Sequence, residues 1–339
     1  MVGAGAAGLS AAAALSRPDA VVVDGGDRVG DCWRRRYDGL RLFTAARHCA
    51  LPGMPLPMPG HAHPGKDEYA DYLERYASRL PVPVHLGVRV LGHRFRDGRH
   101  ELSTTRGTIV ADRVVWAAGG NARPVVPAFA AGLAPSIRQT HSAEFHGVAD
   151  LAPGPVLVVG AGQSGADIAG SVCATHVTYL AGARTSHVPA GLVQSPALQA
   201  FYRLPVPAGR GQRPLQRLLR RGSPLVWNTE RRLAAAGVRR LPRVTGVRDG
   251  RPLIGDNPAP PVTTVIWCTG LRPALGWLDP RALDGNGMPR HVRGVSTTLP
   301  GLGFVGLRLQ RTLGSGFLPS FPADARFVVS ALEALTPVR

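Results

Sequence analysis

Four apolar residues, Val156-Leu157-Val158-Val159, run directly into Gly160-Ala161-Gly162-Gln163-Ser164-Gly165. A β-branched run, a G-x-G-x-x-G turn, a helix-compatible segment from about Ala166 and a second run, Val177-Thr178-Tyr179-Leu180, follow one another without a break. Strand, helix, strand in that order demands parallel pairing and a right-handed crossover. The first glycine of such a turn permits the tight bend, the second lets backbone approach a pyrophosphate, and the third lets helix and strand pack closely. The helix N-terminus then faces the phosphates. Gly160, Gly162, Gln163, Ser164 and Gly165 are therefore candidate dinucleotide contacts.

The same pattern opens the chain. Gly3-Ala4-Gly5-Ala6-Ala7-Gly8 precedes a helix-compatible run Leu9 to Leu15, which ends at Ser16-Arg17-Pro18, and Ala20-Val21-Val22-Val23 closes on Asp24. Asp24 is the 21st residue after Gly3, where a carboxylate accepts the ribose hydroxyls of an unphosphorylated adenosine. Gly3, Gly5, Ala6, Ala7, Gly8 and Asp24 thus read as an FAD site. The 21st residue after Gly160 is Ala181, so the second unit has no acid there; Arg184, with Thr185 and Ser186 beside it, suits a 2′-phosphate, and the reading is NADPH. Only Met1 and Val2 precede Gly3, whereas strands typically run about 5–6 residues. The expectation is a first strand truncated at the N-terminus, a GTG valine codon within it having been taken as the start. In-frame upstream codons for a β-branched run would bear this out.

The rest of the chain sorts around these two units. Pro/Gly-rich chain from Leu51 to Gly65 leads to an amphipathic helix, Asp67 to Leu80, with Tyr69, Tyr72, Leu73 and Tyr76 at helical spacing. Strand-like segments follow at Val88 to Leu91 and Val114 to Ala117, and a C-terminal helix is expected near Asp324 to Leu335. Turns at Ala152-Pro153-Gly154-Pro155 and Asn257-Pro258-Ala259-Pro260-Pro261 suggest residues 1–153 as the first part of an FAD domain, 154–260 as an inserted NADPH domain and 261–339 as the return. The net charge of +18 is almost all arginine, Lys66 being the single lysine, and is densest from Arg203 to Arg251, including Arg217-Leu218-Leu219-Arg220-Arg221. With only 6% aromatics, these arginines lack the stacking residues of a nucleic-acid surface and read as a solvated face that attracts an anionic cofactor. Cys32, Cys49, Cys173 and Cys268 are far apart, with neither redox nor zinc spacing, as expected of reduced thiols in a cytoplasmic protein. No apolar run approaches the ~20 residues of a membrane helix.

Together these residues resemble flavin-containing monooxygenases and their bacterial flavin-binding monooxygenase-like relatives. Beyond the two fingerprints, the likeness is carried by Gly30-Asp31-Cys32-Trp33, Tyr37-Asp38-Gly39-Leu40-Arg41-Leu42-Phe43-Thr44, Pro64-Gly65-Lys66-Asp67-Glu68, and the linker motifs Ala117-Ala118-Gly119 and Cys268-Thr269-Gly270. The resemblance implies an α/β chain of two Rossmann-like dinucleotide-binding domains, each a three-layer fold on a parallel sheet. It adds Gly25, Trp33, Leu42, Thr44, Val90, Ala117, Gly119, Thr269 and Gly270 to the cofactor-binding set. It also implies that NADPH delivers hydride to the flavin, which takes up molecular oxygen as a C4a-hydroperoxyflavin and oxygenates a small molecule. No catalytic side chain is demanded, because the cofactor carries the chemistry. Arg41, Arg47, His48 and Arg311 are candidates for lining the site. Of the family's interdomain signature only His141 remains, read as a linker residue, and no asparagine follows Thr44, which speaks against amine oxygenation. Two alternatives stay open: a pyridine-nucleotide–disulfide reductase without the usual cysteine pair, and a non-catalytic flavin- or nucleotide-binding redox protein.

Overall fold

The computed structural model of the protein describes residues 1–16, 19–207 and 224–335, so the expected helix end at Arg17-Pro18 and the basic run 217–221 lie outside the described residues. Two parallel sheets organise the rest. The first places Val84–His85, Val22–Val23, the Met1–Gly3 segment, Val114–Trp116 and Leu302–Phe304 side by side, with Val295–Ser296 and His291–Val292 added antiparallel at one edge. Val2 by itself fills the central rung, bridging Val23 on one side and Trp116 on the other. Its amide donates to Val115 O and its carbonyl accepts from Ala117 N, while Gly3 N donates to Val23 O. The leading strand, expected to be truncated, is reduced to the bridges of Val2, and the sheet is continuous through it.

The second sheet is fully parallel in the order Arg239–Leu241, Thr178–Ala181, Val156–Val159, Thr264–Trp267, Arg138–His141. Its central strand is buried on both faces, which is why Val156–Val159 is an unbroken apolar run. Val156 and Val158 pack under the helices Gln163–Val172 and Glu230–Ala235; Leu157 and Val159 pack against the antiparallel strands Val244–Arg248 and Arg251–Ile254. The first sheet has the same three layers. Helices Ala6–Ala12 and Phe321–Glu333 share a core on one face, and the antiparallel meander Val90–Arg96, Arg99–Thr104 and Gly107–Ala111 shares a core with Val23, Val114 and Phe304 on the other. The tyrosine-rich helix Lys66–Ala77 buries Tyr69, Tyr72, Leu73 and Tyr76 at helical spacing.

Strands Arg138–His141 and Thr264–Trp267 belong to the second sheet although they lie on either side of the 154–260 span. Both fingerprint helices also begin earlier than their apolar runs indicate, at Ala6 and Gln163. In each, the second glycine of the turn is the extended N-cap, and the third lies inside the helix.

Candidate functional site

The two glycine turns have nearly identical geometry. Gly3 has φ of +107° and Gly160 +110°, conformations in which a side chain is strained. A Cβ on Gly3 would sit 2.5 Å from the Ala117 carbonyl oxygen, and one on Gly160 would sit 2.3 Å from that of Cys268. The third glycines carry the helix over the first: a Cβ on Gly8 would lie 1.8 Å from Gly3 O, and on Gly165 1.7 Å from Gly160 O. By contrast a Cβ on Gly5 or Gly162 would meet nothing within 4 Å. The second glycine of each turn therefore faces open space at a helix start, the shape a pyrophosphate needs. Both linker motifs now have one job. Ala117-Ala118-Gly119 backs the first turn and Cys268-Thr269-Gly270 backs the second, each following the strand beside its fingerprint strand.

Where the turns differ is at the end of the following strand. Gly3 N donates to Val23 O and Gly160 N to Ala181 O. Val23 thus corresponds to Ala181, and Asp24 corresponds to Gly182, one residue beyond the position that counting selects. The intervening connection is one residue longer in the second unit, and buried Ala181 faces the core instead of the ligand side. Asp24 Oδ2 accepts from Ala4 N at 2.6 Å and Oδ1 from Gly26 N at 2.7 Å. A carboxylate offers about four acceptor positions, so lone pairs remain for ribose hydroxyls. In the second unit a Cβ on Gly182 would lie 2.8 Å from Ala161 N, the counterpart of Ala4. No acid occupies that place.

Basic groups stand there instead. Arg184 is 90% exposed and lies 3.8 Å from Glu230, which also lies 4.0 Å from Arg240. Arg240, absent from the sequence reading, donates to Leu180 O and Gly182 O at 3.1 Å each, capping the strand end. Burial, offset by Glu230 and reinforced by Arg184, lowers its pKa. Thr185 Oγ1 donates to Ala161 O at 2.8 Å and ties the Arg184 segment to the glycine turn. Arg240 comes from a strand whose pairing is long-range, so spacing along the chain carries no sign of it.

The remaining residues expected at the flavin surround the first turn in part. Gly25 abuts Arg89, and Val88 N donates to Asp24 O, with Val90 two residues on at the start of the meander. Trp33 packs edge-on to Tyr69 at 5.1 Å, and Leu42 is buried in the same cluster. Thr44 is buried and lines a partly open cavity with Phe43, Tyr202 and Phe317. Of the four other lining candidates none reaches this cavity. Arg311 is held by buried Asp324 at 2.8 Å, Arg47 donates to His48, and Arg41 pairs in backbone with Gly65. His141 accepts from Ala143 N through Nδ1, so Nε2 carries the proton and donates to Gly270 O at 3.1 Å, a contact between strand and linker motif.

One partly buried network joins the two units. Asp167, on the second fingerprint helix, accepts from Tyr37 OH at 3.1 Å, Asn228 Nδ2 at 2.7 Å and Gln163 Nε2 at 3.3 Å. Burial raises its pKa against these donors. The cysteines are all free, and burial pushes the Cys49 thiol up to about 12, so it is an inert thiol at neutral pH. Among the described residues no cluster could hold a metal ion, and no helix is long and apolar enough to cross a membrane.

Comparison with known proteins agrees with this architecture. Residues 1–189 match the family model described as pyridine nucleotide-disulphide oxidoreductase. An uncharacterized CzcO-like oxidoreductase of Geobacillus kaustophilus is 33% identical over 336 residues, covering 97% of this chain and 96% of that one. A flavin-containing monooxygenase from Stenotrophomonas maltophilia superposes with a TM-score of 0.77 at 25% identity, covering 98% of this chain and 97% of that one. The OTEMO structure in complex with FAD and NADP has a TM-score of 0.71 at 15% identity, covering 98% and 84%. The chain belongs to the pyridine nucleotide-disulphide oxidoreductase family and has the fold of its flavin-containing monooxygenases.

Proposed function

We propose that the protein is an FAD-dependent, NADPH-consuming monooxygenase acting on a small molecule. The observation that carries this reading is the pair of matched glycine turns with opposite endings: Asp24 on the first, Gly182 with Arg184 and Arg240 on the second. FAD is held by Gly3, Gly5, Ala6, Ala7, Gly8 and Asp24, with Gly25, Trp33, Leu42, Thr44, Val90, Ala117 and Gly119 around them. NADPH is held by Gly160, Gly162, Gln163, Ser164, Gly165 and Arg184, with Thr269 and Gly270 behind the turn. The division into 1–153, 154–260 and 261–339 is kept with one change: the strands at 138–141 and 264–267 go with the NADPH unit.

When bound, FAD would supply the redox chemistry, accepting hydride from NADPH and reacting with oxygen. One oxygen atom enters the substrate, the other leaves as water, and NADPH with one proton provides the electrons and hydrogen. The chain's part is to bind, orient and exclude water. Stopped-flow absorbance tests it. Anaerobic NADPH should bleach the flavin, and mixing with oxygen should give a transient C4a-hydroperoxyflavin band. Reoxidation without that band, together with turnover of a disulfide, points to a reductase. Protein that takes up no flavin points to a nucleotide-binding role alone.

A further inference from the structure

The cavity beside Thr44 lies where three distant stretches meet: residues 43–44, the helices Ala190–Val193 and Pro196–Tyr202, and residues 314–320. Hydrogen bonds from backbone and side chain hold them together. Gln194 clasps the first stretch, donating to Phe43 O at 2.9 Å and accepting from Ala45 N at 3.3 Å. Gly314 N donates to Tyr202 O at 2.7 Å, and Leu313 N to Leu204 O at 3.0 Å. What is left facing the space is mostly carbon. Phe317 meets Phe43 at 6.2 Å and Tyr202 at 5.8 Å between ring centres, forming an aromatic wall. Thr44, Gln199, Tyr202 and Ser320 are the lining residues with polar side chains, Gln199 Nε2 also donating to Val193 O at 2.9 Å, and among the described residues no acidic or basic side chain lines the cavity.

We propose that this cavity is the substrate site of the reaction inferred above, on which this inference rests, and that it selects uncharged ring compounds over ammonium or carboxylate analogues of the same shape. An ion entering it gives up water and finds no opposite charge among the described lining residues, whereas a ring exchanges water for the aromatic wall. A hydroxyl or amide from Thr44 or Gln199 can orient one carbonyl or thioether.

The test is calorimetric binding of a matched pair to the flavin-loaded protein: ethyl phenyl sulfide and its ammonium analogue 2-(phenylthio)ethylamine. The neutral sulfide should bind at least about ten-fold more tightly, since a stranded charge outweighs one weak contact. Gln199→Glu, nearly identical in shape, should narrow or reverse that preference, and Phe317→Ala should weaken the sulfide. Equal binding of the pair, or a preference that neither variant moves, overturns the proposal. The two readings fail separately. Selective binding without NADPH-dependent flavin reduction sinks the monooxygenase and leaves the cavity's selectivity standing; flavin reduction with indifferent binding does the reverse.

Discussion

Lowering the pH should weaken the first unit through one pair of buried histidines. Asp279 N donates to His93 Nδ1 at 3.3 Å, so the His93 proton is on Nε2, which donates to His100 Nδ1 at 2.9 Å. His100 Nε2 in turn donates to Pro300 O at 2.9 Å. The chain closes only with both rings neutral, and it ties the meander to the segment leading into Leu302–Phe304. Burial, then His93 itself, lowers the His100 pKa to about 4, against the opposing pull of Pro300 O, Asp279 and Asp112; burial lowers His93 as well.

The folded pKa is below the unfolded one, so the unfolded chain binds the extra proton and stability is lost as pH falls below 6.5. Linkage between 6.5 and about 4 gives His100 a loss of roughly 2 kcal/mol by pH 5 and about 3.4 kcal/mol below pH 4. Against a typical total of about 5–15 kcal/mol this is a large fraction. His100→Gln keeps one acceptor and one donor but cannot titrate. Urea unfolding of both proteins from pH 7.5 to 5 should bring the variant's stability about 2 kcal/mol closer to, or above, that of the wild type at the acid end. Parallel stability curves would refute the argument.

Glu230→Gln removes the anion that competes for Arg184 and Arg240. It should tighten calorimetric binding of 2′-phosphorylated adenosine about three-fold, the scale of exposed ion pairs, without changing the unphosphorylated nucleotide. Weaker or unchanged binding of the phosphorylated form would count against a 2′-phosphate site there. Gly8→Ala and Gly165→Ala each drive a Cβ to within 2 Å of a carbonyl oxygen, which only backbone displacement relieves. If the protein folds, the first should purify with less flavin and the second should lose NADPH affinity while keeping flavin; the opposite pattern would reverse the assignment of the two turns.

What the amino-acid sequence determined by itself is the local stereochemistry. Gly3 and Gly160 sit where only glycine is comfortable, runs such as Val156–Val159 state that a strand is buried on both faces, and tyrosines at helical spacing announce Lys66–Ala77. Such signals are carried by neighbouring residues, because sterics and side-chain period act over a few positions. The tertiary structure alone decided which strands sit beside the fingerprints, drawing 138–141 and 264–267 to the second sheet. It moved the missing acid from Ala181 to Gly182, since strand register, and not a count along the chain, sets what faces a ligand. It brought Arg240 beside Arg184, and it gathered Thr44, Gln199 and Phe317 around one cavity. These are long-range pairings settled by how apolar faces from the whole chain pack together, and no spacing between two residues encodes them.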